Sequence, residues 1–127
     1  MSTKVSELPT LGVTGSRSGL TLIQRGLAVL LLDGRYPNWP RPYQLHHGDC
    51  LGVDAEIYNI ARELHIMTVS HPPINNSWRA YCASDIILSV QSYADRNYAI
   101  ASVTKRLVGF PSGTEQDQLR SGTWQTI

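Results

Sequence analysis

The chain has 127 residues, the size of a single domain that can bury its own core without disulfide or metal support. Its 42% hydrophobic and 17% charged residues are typical of a globular protein and exclude the disordered and fibrous classes. A formal net charge of +1 offers no broad basic surface, which argues against a duplex-binding protein, so nucleic acid is not an expected partner.

No apolar run approaches the roughly 20 residues that a membrane-spanning helix needs, and the N-terminus lacks the basic-then-apolar order of a secretory signal. We therefore expect a cytoplasmic protein with no membrane partner. In that compartment, Cys50 and Cys82 are expected to be reduced thiols.

The first predicted unit is a strand, a tight turn and a helix. Leu8 to Thr14 is predicted to form a buried strand that breaks at Gly15, and Thr21 with Gln24 has the spacing of a helix capping box. Four apolar residues recur at helical spacing and are predicted to face the core: Ile23, Leu27, Leu30 and Leu31.

The strand-turn-helix pattern then repeats. A second strand is predicted from Tyr43 to His47, ending at Gly48, and a third from Ile66 to Ser70. The helix between them is predicted from an apolar stripe: Val53, Ile57, Ile60, Ala61 and Leu64. The stretch from Pro72 to Ser92 has no sustained period, and a loop of this length is usually functional or mobile.

A third helix is predicted from Tyr93 to Val103 and a further strand from Arg106 to Phe110. Strands alternating with helices predict one α/β, Rossmann-like three-layer domain over residues 1–127, with a mostly parallel sheet. The chain ends where a last helix would begin, so this domain is expected to be short at its C-terminus. We expect self-association into a homo-oligomer across the uncovered region.

Polar residues cluster after several of these strands, where an open parallel sheet binds its ligands. In the first cluster, Gly15 would let the backbone approach a ligand, Ser16 would donate a hydrogen bond and Arg17 would pair with a phosphate. The alternative is a simple turn at Gly15 with a solvated arginine.

The second cluster precedes the second helix and contains His47, Gly48, Asp49, Gly52 and Asp54. Since two carboxylates would repel a phosphate, Asp49 or Asp54 is predicted to accept hydrogen bonds from a ribose or a base. Alternatively, Asp54 only stabilises the N-terminus of the helix. No second pair of ligands with zinc-site spacing accompanies the histidines, so no metal is expected.

The third cluster joins Arg96 and Asn97 to Gly122, Thr123 and Trp124. Arg96 can neutralise a phosphate, while Gly122 and Thr123 can present an amide and a hydroxyl. Trp124 can stack on a base, although packing in the core explains it equally well. No catalytic triad, phosphate loop or dinucleotide fingerprint accompanies these clusters, so no catalytic residue and no cofactor are assigned.

Taken in order, these segments resemble the SLOG superfamily, and the short phage and bacterial members most closely. The segments are Gly12 to Arg17, His47 to Ala55, Ala94 to Asn97, and Ser121 to Trp124. The superfamily includes the LOG nucleotide phosphoribohydrolases and the DNA-processing protein DprA. The resemblance implies a nucleotide-derived ligand at the strand ends. LOG enzymes carry a PGGxGTxxE motif, and Thr126 stands here in place of its carboxylate.

The first hypothesis is therefore a protein that binds a nucleotide-derived small molecule, such as a cyclic nucleotide or an ADP-ribose-type signal. One form of it is a phage-encoded sponge that sequesters an immune signal in the host cytoplasm. The alternative is a nucleotide phosphoribohydrolase in which Asp49, Asp54 or Glu115 replaces the missing carboxylate. A DprA-like binder of single-stranded DNA is disfavoured by the near-neutral charge.

Overall fold

The computed structural model describes residues 7–112, so the predicted ligand residues Gly122, Thr123 and Trp124 lie outside the described residues. Within that range strands and helices alternate as predicted. In chain order the elements are β1 (Thr10–Gly15), α1 (Leu22–Leu32), β2 (Gln44–His47), α2 (Val53–Glu63), β3 (Met67–Ser70), β4 (Ile86–Ile87), α3 (Tyr93–Val103) and β5 (Arg106–Phe110).

The described strands form one sheet in the order β4-β3-β2-β1-β5, and every neighbouring pair is parallel. The predicted α/β class with a parallel sheet is confirmed. The chain moves from β1 through β2 and β3 to β4 on one side, and β5 lies on the other side of β1. The order therefore reverses between β1 and β5, and a crevice opens at such a reversal outside the carboxyl ends of the strands.

Helices cover both faces of the sheet, as the alternation of side chains along β1 shows. Leu11 and Val13 are buried in the main core with residues of α1 and α2. Gly12 points the other way, because a Cβ there would lie 2.9 Å from Ile100 at the end of α3. The polar carboxyl edge is thus enclosed by helices from two layers.

The beginning of α1 is as predicted. Thr21 Oγ1 accepts a hydrogen bond from the Gln24 amide at 3.1 Å, and Gln24 Oε1 accepts one from the Thr21 amide at 3.0 Å. This reciprocal pair satisfies two amides that the first helical turn would otherwise leave unpaired.

The predicted buried face of α1 was wrong for Ile23 and Leu30, whose side chains are 86% and 38% exposed. The helix packs against the sheet through Ala28, Leu31 and Leu32 instead. At 3.6 residues per turn, Ile23 lies about 140° and Leu30 about 160° around the axis from Ala28, so both point away from the sheet. The small Ala28 was not counted in the apolar pattern, which shifted the predicted face.

We call residues 72–92 the strap. It contains the two-residue strand β4, which the sequence did not predict because two residues are too few to show a period. The rest of the strap has no helix or strand, as expected. None of the helices in residues 7–112 has the length and apolar character required to cross a membrane.

Candidate functional site at the carboxyl edge of the sheet

The loops that follow β1 and β2 interlock through two glycines. A Cβ at Gly15 would overlap the side chain of Val53, and a Cβ at Gly52 would lie 2.5 Å from the Ser16 carbonyl oxygen. Gly52 also has a positive φ of 93°. These glycines therefore let the end of β1 approach the N-terminus of α2, and their predicted contact with a ligand stays a prediction.

The β1 loop presents Arg17 to solvent. Ser16 is buried and its Oγ lies 2.8 Å from Ser18 Oγ, whereas the Arg17 guanidinium lies 4.4 Å from the ring centroid of Trp78. Within residues 7–112 no acceptor holds this guanidinium, and the backbone N–H groups of Arg17 and Ser18 are also unpaired. A turn with free amides and a free cation is suited to an anion.

Asp49 accepts three hydrogen bonds from the strap, from Arg79, Ala80 and Cys82, and we call this set of bonds the latch. Its Oδ2 accepts a hydrogen bond from Arg79 Nε at 2.8 Å and its Oδ1 accepts one from the Cys82 amide at 2.8 Å. Its carbonyl oxygen accepts a third from the Ala80 amide at 2.8 Å. Asp49 is fully buried, so its carboxylate ties the strap to the β2 loop and is a weaker ligand candidate than Asp54.

Arg96 is buried beneath the β2 loop. Its Nη1 donates to the Gly48 carbonyl at 2.7 Å and lies 3.2 Å from Cys50 Sγ, and its Nε donates to Asn97 Oδ1 at 3.0 Å. A Cβ at Gly48 would overlap this guanidinium, which explains the glycine. Among the described residues Nη2 has no acceptor, so it is the part of Arg96 left for a phosphate.

Three buried side chains around Arg96 each keep one polar atom without a hydrogen-bond partner in residues 7–112: Asp54 Oδ1, His71 Nδ1 and Asn97 Nδ2. We call these residues, with Arg96, the open cluster. They come from α2, the end of β3 and α3, which meet at this edge. Since a buried polar group without a partner costs about 1–3 kcal/mol, the three atoms together require bound water or a polar ligand at this place.

Burial raises the pKa of Asp54 to about 6, although the charge of Arg96 and the amides of Cys50 and Gly48 partly oppose this shift. The Cys50 amide donates to Asp54 Oδ2 at 3.3 Å, which leaves Oδ1 as the free atom. A carboxyl with this pKa exchanges its proton near neutral pH, so it can accept a hydrogen bond or take part in acid–base chemistry.

His47 is a structural residue in a defined tautomer. The Asp49 amide donates to its Nδ1 at 3.1 Å, so the proton is on Nε2, which donates to Ser84 Oγ at 2.9 Å. Burial lowers the pKa of His47 to about 4, which keeps the ring neutral. Its predicted ligand contact is untested, and both ring nitrogens already have partners within the protein.

His46 and His71 form a hydrogen-bonded chain that ends in the open cluster. His46 Nε2 lies 3.1 Å from Gln44 Oε1, an acceptor, so His46 Nδ1 must accept from His71 Nε2 at 2.8 Å. The lone pair of His71 Nδ1 is then an acceptor without a partner among the described residues. Burial lowers the pKa of His71 to about 4, so this end of the chain stays an acceptor at neutral pH.

The described chain contains two cysteine thiols and the histidine, aspartate and glutamate side chains that could ligate a metal. Within residues 7–112 no three His, Cys, Asp or Glu side chains come together as a metal site would require. Cys50 and Cys82 are free thiols, and burial raises the pKa of both, that of Cys82 to about 12. Neither is a thiolate at neutral pH.

No protein-family model matches the chain, and no curated protein sequence matches it. Solved structures do. The molybdenum cofactor binding protein from the phototrophic bacterium Rippkaea orientalis matches with 20% identity and a TM-score of 0.64, over 94% of this chain and 68% of that one. The Moco carrier protein from Chlamydomonas reinhardtii matches with 23% identity and a TM-score of 0.58, over 84% and 64%. The structural-genomics target TM1055 matches with 14% identity and a TM-score of 0.55, over 80% and 60%.

These likenesses decide the fold. The chain has the Rossmann-like α/β fold of these proteins. Sequence identities this low show a shared architecture and do not show a shared function. The chain spans 60% of the length of TM1055 and 64% of that of the Chlamydomonas protein, so it represents part of what those proteins contain.

In this fold the β1 loop, the β2 loop and the beginning of α3 meet at the carboxyl edge, as predicted. Gly15, Gly48, Gly52 and Asp49 there contact the protein itself, while Arg17 and Asp54 keep free polar atoms. Sequence reasoning assigned no role to His71 or to Trp78 in the strap. A histidine directly after a predicted strand was the available signal for His71.

Proposed function

We propose that this chain binds a phosphorylated small molecule of nucleotide type at the carboxyl edge of its sheet. The observation that carries the proposal is the open cluster, in which two acceptors, Asp54 Oδ1 and His71 Nδ1, and one donor, Asn97 Nδ2, are buried without partners in the described chain. Ring nitrogens, amino groups and ribose hydroxyls supply the complementary donors and acceptors.

A place for the phosphate is supported by the neighbouring groups. Within the open cluster, Arg96 Nη2 has no acceptor among the described residues, and the exposed Arg17 guanidinium follows β1 together with two backbone amides that are unpaired there. Guanidinium groups form strong charge-assisted hydrogen bonds with phosphates, so these groups suit the phosphate of a nucleotide. The names of the two neighbours that bind or carry the molybdenum cofactor also fit a small-molecule binding role.

Within this class we favour a cyclic nucleotide or an ADP-ribose-type signal, and sequestration of that signal as the biological role. A phage-encoded sponge acting in a host cytoplasm is the most specific form of the proposal. We also keep the proposal that the chain self-associates. A monomeric mass by light scattering would refute the self-association alone.

Calorimetry tests the binding proposal with AMP, GMP, ADP-ribose, a cyclic dinucleotide and the molybdenum cofactor. We expect at least one to bind, and the Asn97→Asp variant to bind it at least about tenfold more weakly. This variant keeps the oxygen that accepts from Arg96 Nε, and it replaces the free donor with an acceptor that also carries a negative charge and so repels a phosphate. If the folded wild-type protein binds none of these compounds, the proposal is wrong.

A hydrolase is the second candidate, and the raised pKa of Asp54 is the observation that favours it. The ionised carboxylate could assist water in cleaving the N-glycosidic bond, giving free base and ribose 5-phosphate. Base release from a nucleoside monophosphate, followed by chromatography, should then rise with pH through about 6 and vanish in Asp54→Asn. Binding without base release would leave the first function standing alone.

A further inference from the structure

The strap is firmly held although it has little regular secondary structure. Besides the three hydrogen bonds of the latch, the Trp78 carbonyl accepts one from the Leu51 amide at 2.8 Å. Cys50 and Arg79 pair as an isolated antiparallel bridge. The middle of the strap is therefore fixed across the β2 loop, directly above the carboxyl edge.

This fixed segment holds two large aromatic side chains in solvent. Trp78 is 46% exposed and Tyr81 is 60% exposed, and Tyr81 has a positive φ of 56°, which a bulky residue rarely adopts. Large aromatic side chains that a fixed segment holds exposed are more often found at binding sites than elsewhere.

The arginines that contact these two rings differ in their own contacts. Each guanidinium lies 4.4 Å from its ring centroid, Arg17 at Trp78 and Arg79 at Tyr81. Arg79 is bound to the Asp49 carboxylate, so its charge is already neutralised. Arg17 has no such acceptor in residues 7–112, so of these two pairs only Arg17–Trp78 combines an exposed ring with a free cation.

We propose that Trp78 is the ring-stacking subsite of this protein: the heteroaromatic ring of the ligand stacks on the indole while Arg17 pairs with its phosphate. This inference rests on the proposed function and adds the feature by which the site selects a ring-bearing nucleotide over a plain sugar phosphate. Because every base has a π face, stacking accepts several bases, and the open cluster would choose among them.

The test compares AMP and GMP with ribose 5-phosphate, which has the same sugar phosphate but no ring, by calorimetry. Trp78→Leu should weaken AMP and GMP about 5- to 150-fold and change ribose 5-phosphate less than about twofold, because only stacking is removed. Tyr81→Leu is the matched control, since it removes an exposed ring from the same strap, and it should leave all three affinities unchanged.

Fluorescence identifies which ring is involved, because the chain has three tryptophans, Trp39, Trp78 and Trp124. Nucleotide binding should quench emission in Trp124→Phe and Trp39→Phe proteins and leave it unquenched in Trp78→Phe. Unfolding curves of each variant confirm that it is folded.

Two results overturn the inference in distinguishable ways. The stacking subsite is wrong if wild-type protein binds AMP or GMP and Trp78→Leu binds them equally well. It is also wrong if the fluorescence quench is lost in Trp124→Phe and kept in Trp78→Phe. In both cases the proposed function stands. If wild-type protein binds neither nucleotide and none of the other compounds of the panel, both fall together. Binding of AMP and GMP that is weakened in Trp78→Leu, with the affinity for ribose 5-phosphate unchanged, supports both.

Discussion

Two aspartates at the carboxyl edge, Asp49 in the β2 loop and Asp54 in the first turn of α2, are both buried and have opposite surroundings. In the latch, both oxygens of Asp49 accept hydrogen bonds from the strap. In the open cluster, Asp54 keeps Oδ1 unpaired within the described chain and has a raised pKa. A buried charge whose hydrogen bonds are complete is costly to disrupt, whereas one whose hydrogen bonds are incomplete is costly to keep and accords with the proposed ligand.

The largest effect on stability is expected for Asp49→Ala. It leaves Arg79 and the buried Cys82 amide without their acceptor, so we expect a loss of about 3–5 kcal/mol in the free energy of unfolding, measured by urea denaturation. Asp33→Ala is the matched control because it also removes an aspartate paired with arginines, at the surface, and should cost less than about 1 kcal/mol. Equal losses in the two variants would show that the latch is not structural.

Asp54→Asn is expected to raise the free energy of unfolding, whereas Asp49→Ala lowers it. Because the pKa of Asp54 is raised from 3.8 to about 6 by folding, the unfolded chain ionises first as pH rises, and the folded state loses stability between about pH 4 and 6. The variant removes this penalty, so it should gain up to about 3 kcal/mol at pH 8 and nothing near pH 4.

Urea denaturation of Asp54→Asn and wild type at both pH values measures this difference. The same variant should bind the ligand of the proposed site more weakly, since a residue kept for binding is kept at the expense of stability. A gain that is the same at pH 4 and pH 8 would contradict the assignment to ionisation.

The smallest expected effects compare Gly15, where an added Cβ would overlap Val53, with Gly26, where it would lie in open space. Gly15→Ala should cost about 1–3 kcal/mol because the new methyl group would overlap Val53 and separate the β1 loop from α2. Gly26→Ala, inside α1 with nothing within 4 Å of the new Cβ, should instead gain about 0.5–1 kcal/mol from helix propensity. Thermal unfolding of the two variants measures both, and a loss at Gly26 would count against this packing.

Much of this architecture could be predicted where it depends on local signals. Helix α3 and strand β5 have the predicted bounds, and the capping box at Thr21 is present. Propensity and periodicity act over a few residues, so the sequence shows them directly. The carboxyl-edge clusters around Gly15 and Gly48 were also placed correctly, because parallel strands bring such turns together.

The distinction between Asp49 and Asp54 could not be predicted. It depends on Arg79 and Cys82, which reach Asp49 from about thirty residues away and belong to a segment without periodicity. The burial of Arg96 beneath Gly48 is likewise a long-range contact. From the sequence, that arginine was expected to neutralise a phosphate.

The latch also determines which backbone amides of the strap are shielded from solvent. The amides of Ala80 and Cys82 donate to Asp49, so their hydrogens should exchange with deuterium as slowly as sheet amides. The amide of Ser77, bonded to an exposed neighbouring Asn75 side chain, should exchange fast. Equal exchange rates for Ala80 and Cys82 would then show that this part of the strap opens as one unit when its hydrogen bonds to Asp49 break.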